Sequence, residues 1–258
     1  MPPAAKFSAG SLLTRVGERA LERASWALRT RTLRLRIEHP IVSFTFDDFP
    51  RSAVSNGAQI LEKYGFRGTF YAAGSLMNAS HEGISYYGSD DLRALAARGH
   101  EIGCHTFGHV RVPRLSKTAL ESEMRENAAF IAKILPGYVL QSFSYPFGQV
   151  SPMGKLRLQR RFASCRGIQP GVNAKVADMG LLRATSIYGE TIHPRVGALL
   201  NEARRARGWL VFYTHDVVAT PSRFGCTPSL FEQVVSMVAE QGLEVRTMQQ
   251  GVEAIQAQ

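Results

Sequence analysis

The chain has 258 residues, 45% hydrophobic and 20% charged, and a formal net charge of +10 at pH 7. That balance excludes a disordered, collagen-like or heptad-built protein, and the length allows one large domain with a substantial core. The basic excess favours an acidic partner or surface. Three widely spaced cysteines, Cys104, Cys165 and Cys226, make neither a CxxC metal pair nor a disulfide framework, which fits a reducing compartment. No apolar run approaches the roughly 20 residues that span a bilayer. Arg15, Glu18, Arg19, Glu22 and Arg23 interrupt every candidate for the apolar core of a signal peptide. The expected location is the cytoplasm.

The chain divides into a basic amphipathic extension, residues 1–38, and one domain, residues 39–258. The extension carries eight basic and three acidic residues. Leu12, Leu13, Val16, Leu21, Trp26 and Leu28 among arginines predict a helix that either packs on the domain or touches anionic lipid at the inner membrane face. From residue 40, short apolar strands alternate with helices. Strands are expected at 41–46, 66–71, 101–104 and 143–145, with helices over 52–64, 90–98 (capped by Ser89) and 116–135. The second half continues with a basic helix near 152–162, strands near 163–165 and 181–187, and a helix over 195–207. Strand 209–214, helix 229–241 and strand 243–247 complete it. Alternation repeated about seven times predicts a parallel sheet covered by helices, either doubly wound or closed into a barrel.

Three polar clusters fall just past expected strand ends, where an α/β barrel carries its active site. They are Thr45-Phe46-Asp47-Asp48, His105-Thr106-Phe107-Gly108-His109 and Tyr213-Thr214-His215-Asp216. Each alone has a bland reading: a helix cap, a surface loop, a satisfied polar residue. Histidines four apart face one way on a helical turn and can share a metal. Together the clusters supply a metal-binding trio and a pair for acid/base work, and two histidines with one carboxylate suit a catalytic divalent ion, zinc most naturally.

The order T-F-D-D, H-T-x-x-H, S-Y-P-F-G and a late histidine resembles the polysaccharide deacetylases of the NodB-homology type, carbohydrate esterase family 4, over about residues 40–250. That resemblance implies a distorted (β/α)7 barrel, here with an N-terminal helical extension, and a metal-dependent hydrolase acting on an N-acetylated glycan. Carried over by motif, Asp48, His105 and His109 hold the metal, Zn2+ or a similar ion such as Co2+. Asp47 is the base, His215 the acid, and the Phe147 N–H binds the oxyanion. The implied substrate is a polysaccharide or an anionic or lipid-linked oligosaccharide of the kind met in exopolysaccharide biosynthesis.

The sequence departs from the pattern in three places. Ser144 stands where relatives carry an arginine that orients the base, and Arg183 is the expected substitute. Phe49-Pro50 replaces a glycine and is expected to reshape the pocket lip. The D-x-x-D-W segment that tunes the acid histidine is not recognisable between Cys165 and His193. An O-acetyl esterase and a metal-binding carbohydrate module that has lost catalysis stay open as alternatives. Nucleic-acid binding is not expected, because no aromatics interleave with Arg157, Arg160 and Arg161. His39, His81, His100 and His193 match no motif and read as structural or surface residues.

Overall fold

The computed structural model describes residues 9–81, 83–191 and 195–257; His193 lies outside them. Helix α1 (Ala9–Ala27) is followed by strands β1 (Thr32–Arg34) and β2 (Ile41–Asp47), then a π-helical turn running into α2 (Gln59–Lys63). Next come β3 (Thr69–Ala72), the short strands β4 (Ser80–His81) and β5 (Ile84–Ser85), α3 (Ser89–Ala97), β6 (Glu101–Cys104) and α4 (Lys117–Ile134). The second half holds β7 (Ser142–Ser144), α5 (Pro152–Leu158), β8 (Ser164–Arg166), β9 (Val176–Asp178) and β10 (Thr185–Ser186). It ends with α6 (Arg195–Ala206), β11 (Trp209–Thr214), α7 (Pro228–Glu240), β12 (Glu244–Val245) and α8 (Met248–Gln256).

Seven strands form one curled parallel sheet in the order β10-β11-β2-β3-β6-β7-β8, and β12 pairs with the first residues of β2. The two ends approach one another through the chain just before β10. There Leu182 donates its N–H to Cys165 O at 2.8 Å and accepts from Gly167 at 2.9 Å. The expected seven-stranded distorted barrel is therefore the observed architecture. Its distortion lies between β8 and β10, where no helix intervenes and β9 turns back to pair antiparallel with β1.

Every residue of β2 and β11 is buried, as parallel strands covered on both faces require. Alternation assigns their side chains to two layers. Val42, Phe44, Phe46 and Phe212 pack outward among α2, α4 and α7, with Phe46 stacked on Phe70 at 4.5 Å. Ile41, Trp209, Val211 and Tyr213 point inward with Tyr71. Gly103 on β6 leaves room for that tyrosine, since a Cβ there would sit 2.4 Å from the Tyr71 ring. At the floor of the barrel, buried Glu101 accepts from Thr69 Oγ1, Ser142 Oγ and the N–H of Gln249 in the first turn of α8, and negative charge there suits the helix N-terminus.

Three local expectations change. The cap of α3 is Gly88, whose N–H is held by the Asp91 carboxylate at 2.7 Å; Ser89 is the first helical residue. Phe49 does not line the lip: it is buried, stacked on Tyr87 at 4.0 Å, and Pro50 alone faces the cleft. The described part of the extension is tied to the domain. Buried Lys155 donates to Ser25 O (2.8 Å), Leu28 O (2.5 Å) and Asp178 Oδ2 (2.7 Å), locking the end of α1 to α5 and β9. Glu18 pairs with Arg114 at 2.7 Å. No described helix is long and apolar enough to cross a membrane.

Candidate active site

All three polar clusters reach the same mouth of the barrel. Asp47 is the last inward-facing residue of β2. Asp48 follows in the left-handed backbone region (φ 57°), which turns its carboxylate toward the β6 loop. Its Oδ1 lies 3.4 Å from His105 Nε2 and 3.2 Å from His109 Nε2. The two histidines do not share a helical turn. They sit on a loop in which Thr106 (φ 62°) and His109 (φ 50°) are also left-handed. Glu123 of α4 holds that loop by accepting the N–H groups of Phe107 (2.8 Å) and Gly108 (2.7 Å). Strained backbone at non-glycine residues persists only where surrounding contacts enforce it; here the enforcing group is a carboxylate from a neighbouring helix.

The trio fits a divalent cation. Asp48 Oδ1 is buried without a hydrogen-bond partner. Burial, and then the charge of Asp47, push the Asp48 carboxyl up to about 8. Burial drives His105 down to about 4 and His109 to about 3, so both imidazoles are neutral and free to ligate at pH 7. His105 donates Nδ1–H to Ser144 O at 2.8 Å, which leaves Nε2 as the lone-pair donor facing Asp48. The ligating atoms all lie within 4.8 Å of one another. Separations near 3.3 Å are those of atoms each about 2.0 to 2.1 Å from one tetrahedral ion.

Asp47 is handled differently. Burial opposes its ionisation, but the guanidinium of Arg166 overrides burial and holds the carboxyl down at about 2. Fully buried Arg166 contacts Asp47 Oδ1 directly and donates to Ser144 Oγ at 2.7 Å and Gly167 O at 3.0 Å. Arg183 does not take this part. Its guanidinium bonds Pro170 O at 3.1 Å and lies over Trp26, outside the barrel mouth. The cation comes instead from the next strand, because β7 and β8 pair Ser144 directly with Arg166. The small side chain of Ser144 leaves space for the guanidinium and gives it an acceptor.

Across the cleft, His215 is half-buried. Its Nδ1 lies 3.2 Å from Phe224 O, and its ring packs near Phe224 and Tyr188. Burial lowers its pKa, partly countered by Asp47. Asp216 is consumed by the loop itself, accepting from Ser222 N–H at 2.7 Å and Oγ at 2.6 Å. Phe147, in left-handed backbone (φ 59°), stacks its ring 4.4 Å from His109. These groups line one cleft of about 1400 Å³. Sequence reasoning missed Arg166 and Glu123, which act through contacts 119 and 15 or more residues away, and the local Asp216–Ser222 loop, whose partners are six residues apart. Among the histidines without a motif, His100 is structural, held by Gly68 N–H (3.0 Å) and Glu62 (2.8 Å). His81 lines the cleft.

Comparison with known proteins agrees with the geometry. Residues 36–158 match the family model described as polysaccharide deacetylase. A chitin deacetylase of Arthroderma benhamiae is 29% identical over 37% of this chain and 24% of its own length. A peptidoglycan-N-acetylmuramic acid deacetylase of Bacillus subtilis is 25% identical over 81% of this chain and 38% of its own. The chain spans less than two fifths of the length of such curated relatives. A family 4 acetyl xylan esterase from Clostridium thermocellum, solved with a cobalt ion, shares the fold with a TM-score of 0.57 and 23% identity, over 81% of this chain and 89% of that one. The matched segment, residues 36–158, carries Asp47, Asp48, His105, His109 and Phe147, so the likeness to the polysaccharide deacetylase model falls on the candidate site.

Proposed function

We propose that the protein hydrolyses N-acetyl groups from amino sugars of a polysaccharide or lipid-linked oligosaccharide, using a divalent cation, zinc or a similar ion. The observation that carries this reading is the pair of adjacent carboxylates with opposite electrostatics. Asp48 is unpaired and faces two neutral imidazoles, while Asp47 is ionised against Arg166.

A cation held by Asp48, His105 and His109 would act as a Lewis acid on the acetyl carbonyl and acidify a water. Asp47 then takes the proton of the attacking water, and Arg166 keeps that carboxylate aimed into the cleft. The Phe147 N–H is the candidate donor to the developing oxyanion. His215, on the opposite wall, delivers a proton to the departing nitrogen, and its lowered pKa makes it a readier donor once charged. An amide nitrogen leaves poorly without that proton, so retention of the histidine favours amide over ester substrates.

The test is acetate release, with parallel assay of new free amine, from N-acetylglucosamine oligomers. Metal-loaded protein should yield both in equal amounts. Acetate without amine, from O-acetylated glycans only, would replace the reading by an esterase. Metal bound without either product would reduce it to a binding module.

A further inference from the structure

Two aromatic side chains flank the site on opposite walls, and both are unusually open: Phe147 is 47% and Phe224 42% exposed. Phe147 lies against metal-side His109 (4.4 Å) and Phe224 against acid-side His215 (5.5 Å). Each carries an arginine on its face. Arg111 Cζ sits 4.0 Å from the Phe147 centroid, and Arg223 Cζ 4.5 Å from that of Phe224. Among the described residues, neither arginine has a carboxylate within salt-bridge distance. Glu18, the acid that Arg111 feels, is already taken by Arg114 and Gln149. Among the described residues lining the cleft, no free carboxylate compensates them. Of the described acidic residues lining it, Asp47 and Asp48 belong to the catalytic centre and Asp216 is saturated by Ser222.

We infer that this cleft selects an anionic glycan, with a carboxylate or phosphate on a unit flanking the N-acetylated sugar, read by Arg223 in its lining and by Arg111, which reaches its edge over the lining residue Phe147. The guanidiniums, held over the Phe147 and Phe224 rings, offer their N–H groups to a planar or tetrahedral oxyanion. A charge-assisted bond in a half-desolvated cleft exceeds a neutral one, so charge on the flanking unit, rather than the acetamido group, sets the preference. This inference deepens the deacetylase reading and rests on it for the reacting group only.

The experiment uses the metal-loaded protein and two matched pairs of probes. The carboxylate pair is a tetrasaccharide alternating glucuronate with N-acetylglucosamine, and the same tetrasaccharide with its carboxyls reduced to alcohols. The phosphate pair is an N-acetylglucosamine disaccharide phosphorylated on the 6-hydroxyl of one sugar and the same disaccharide without the phosphate. Binding is measured by calorimetry and turnover by acetate release, for wild type, Arg111→Gln, Arg223→Gln and the double variant. We expect one charged probe to bind about tenfold or more tightly than its neutral counterpart. The advantage should shrink with added salt and disappear in the double variant, while affinity for the neutral counterpart stays unchanged. Which pair shows the effect identifies carboxylate or phosphate. Equal binding of charged and neutral members in both pairs overturns the inference, as does a charge preference untouched by the double variant. A charge preference without acetate release sustains anion recognition and removes the deacetylase reading, so the two failures are distinguishable.

Discussion

Asp47 and Asp48 are neighbours in the chain, yet the fold treats them in opposite ways. Asp47 meets a cation the protein supplies, Arg166, and is held ionised at about 2. Asp48 meets two neutral imidazoles and is pushed up to about 8. A buried carboxylate without a partner is costly. One half of the site is thus electrostatically complete as folded, and the other is complete only with an ion. The proposed division of labour rests on this difference: the completed carboxylate would accept a proton and the incomplete one would hold the metal.

The comparison breaks most completely if the incomplete half is removed. Asp48→Ala or His105→Ala should lower bound metal from one ion per chain to background by elemental analysis. Acetate release should fall by about a thousandfold or more, the scale of several kcal/mol of Lewis-acid stabilisation.

Removing the built-in cation attacks the other half. Arg166→Met strands the buried Asp47 charge and should cost about 3 to 5 kcal/mol of stability in denaturant titrations. The pair Ser144→Arg with Arg166→Ser returns a guanidinium from the adjacent strand and should recover much of the lost activity. If it restores stability alone, Arg166 serves packing and not the base.

The two carboxylates also predict opposite pH slopes in metal-free protein. Asp47, depressed on folding, contributes stability that is full above the unfolded carboxylate range near about pH 4 and is lost as pH falls through about 2. Asp48, raised on folding, keeps a proton that the unfolded chain has released, so stability falls as pH rises from that range to about 8. Thermal melts against pH should show the second slope without metal and lose it at saturating zinc.

Smaller effects lie farther out. Lys155→Met leaves Asp178 and the end of α1 without their shared donor, and should lower stability by about 3 kcal/mol while sparing turnover of the folded fraction. Arg183→Ala, at an exposed contact with Pro170 O, should change turnover little.

The candidate metal half was legible in the sequence because its three side chains sit in two short segments, each just past an apolar strand. The base-orienting half was not, since Arg166 reaches Asp47 only through the β7–β8 register, 119 positions along the chain. A guanidinium read from sequence has no address until that register is known, and Arg183, the one expected substitute, lies instead on Pro170 O and Trp26. The His105–His109 spacing was read as a shared metal site for a helical reason; the structure brings the two rings together with Asp48, but not on a helical turn. A left-handed loop held by Glu123, 15 or more residues away, does the work. The barrel strands were legible as apolar runs. The pairs β1–β9 and β4–β5 are too short to show a period, and α8, anchored through Glu101, passed unread.

The most direct test of the account is Asp47→Asn, assayed beside wild type for zinc content and for acetate release from N-acetylglucosamine oligomers, before and after metal stripping. The account predicts that wild type loses release on stripping and regains it with zinc. It predicts that Asp47→Asn still binds one zinc per chain but releases acetate about a hundredfold or more slowly. Undiminished release by Asp47→Asn, or by stripped wild type, would contradict it.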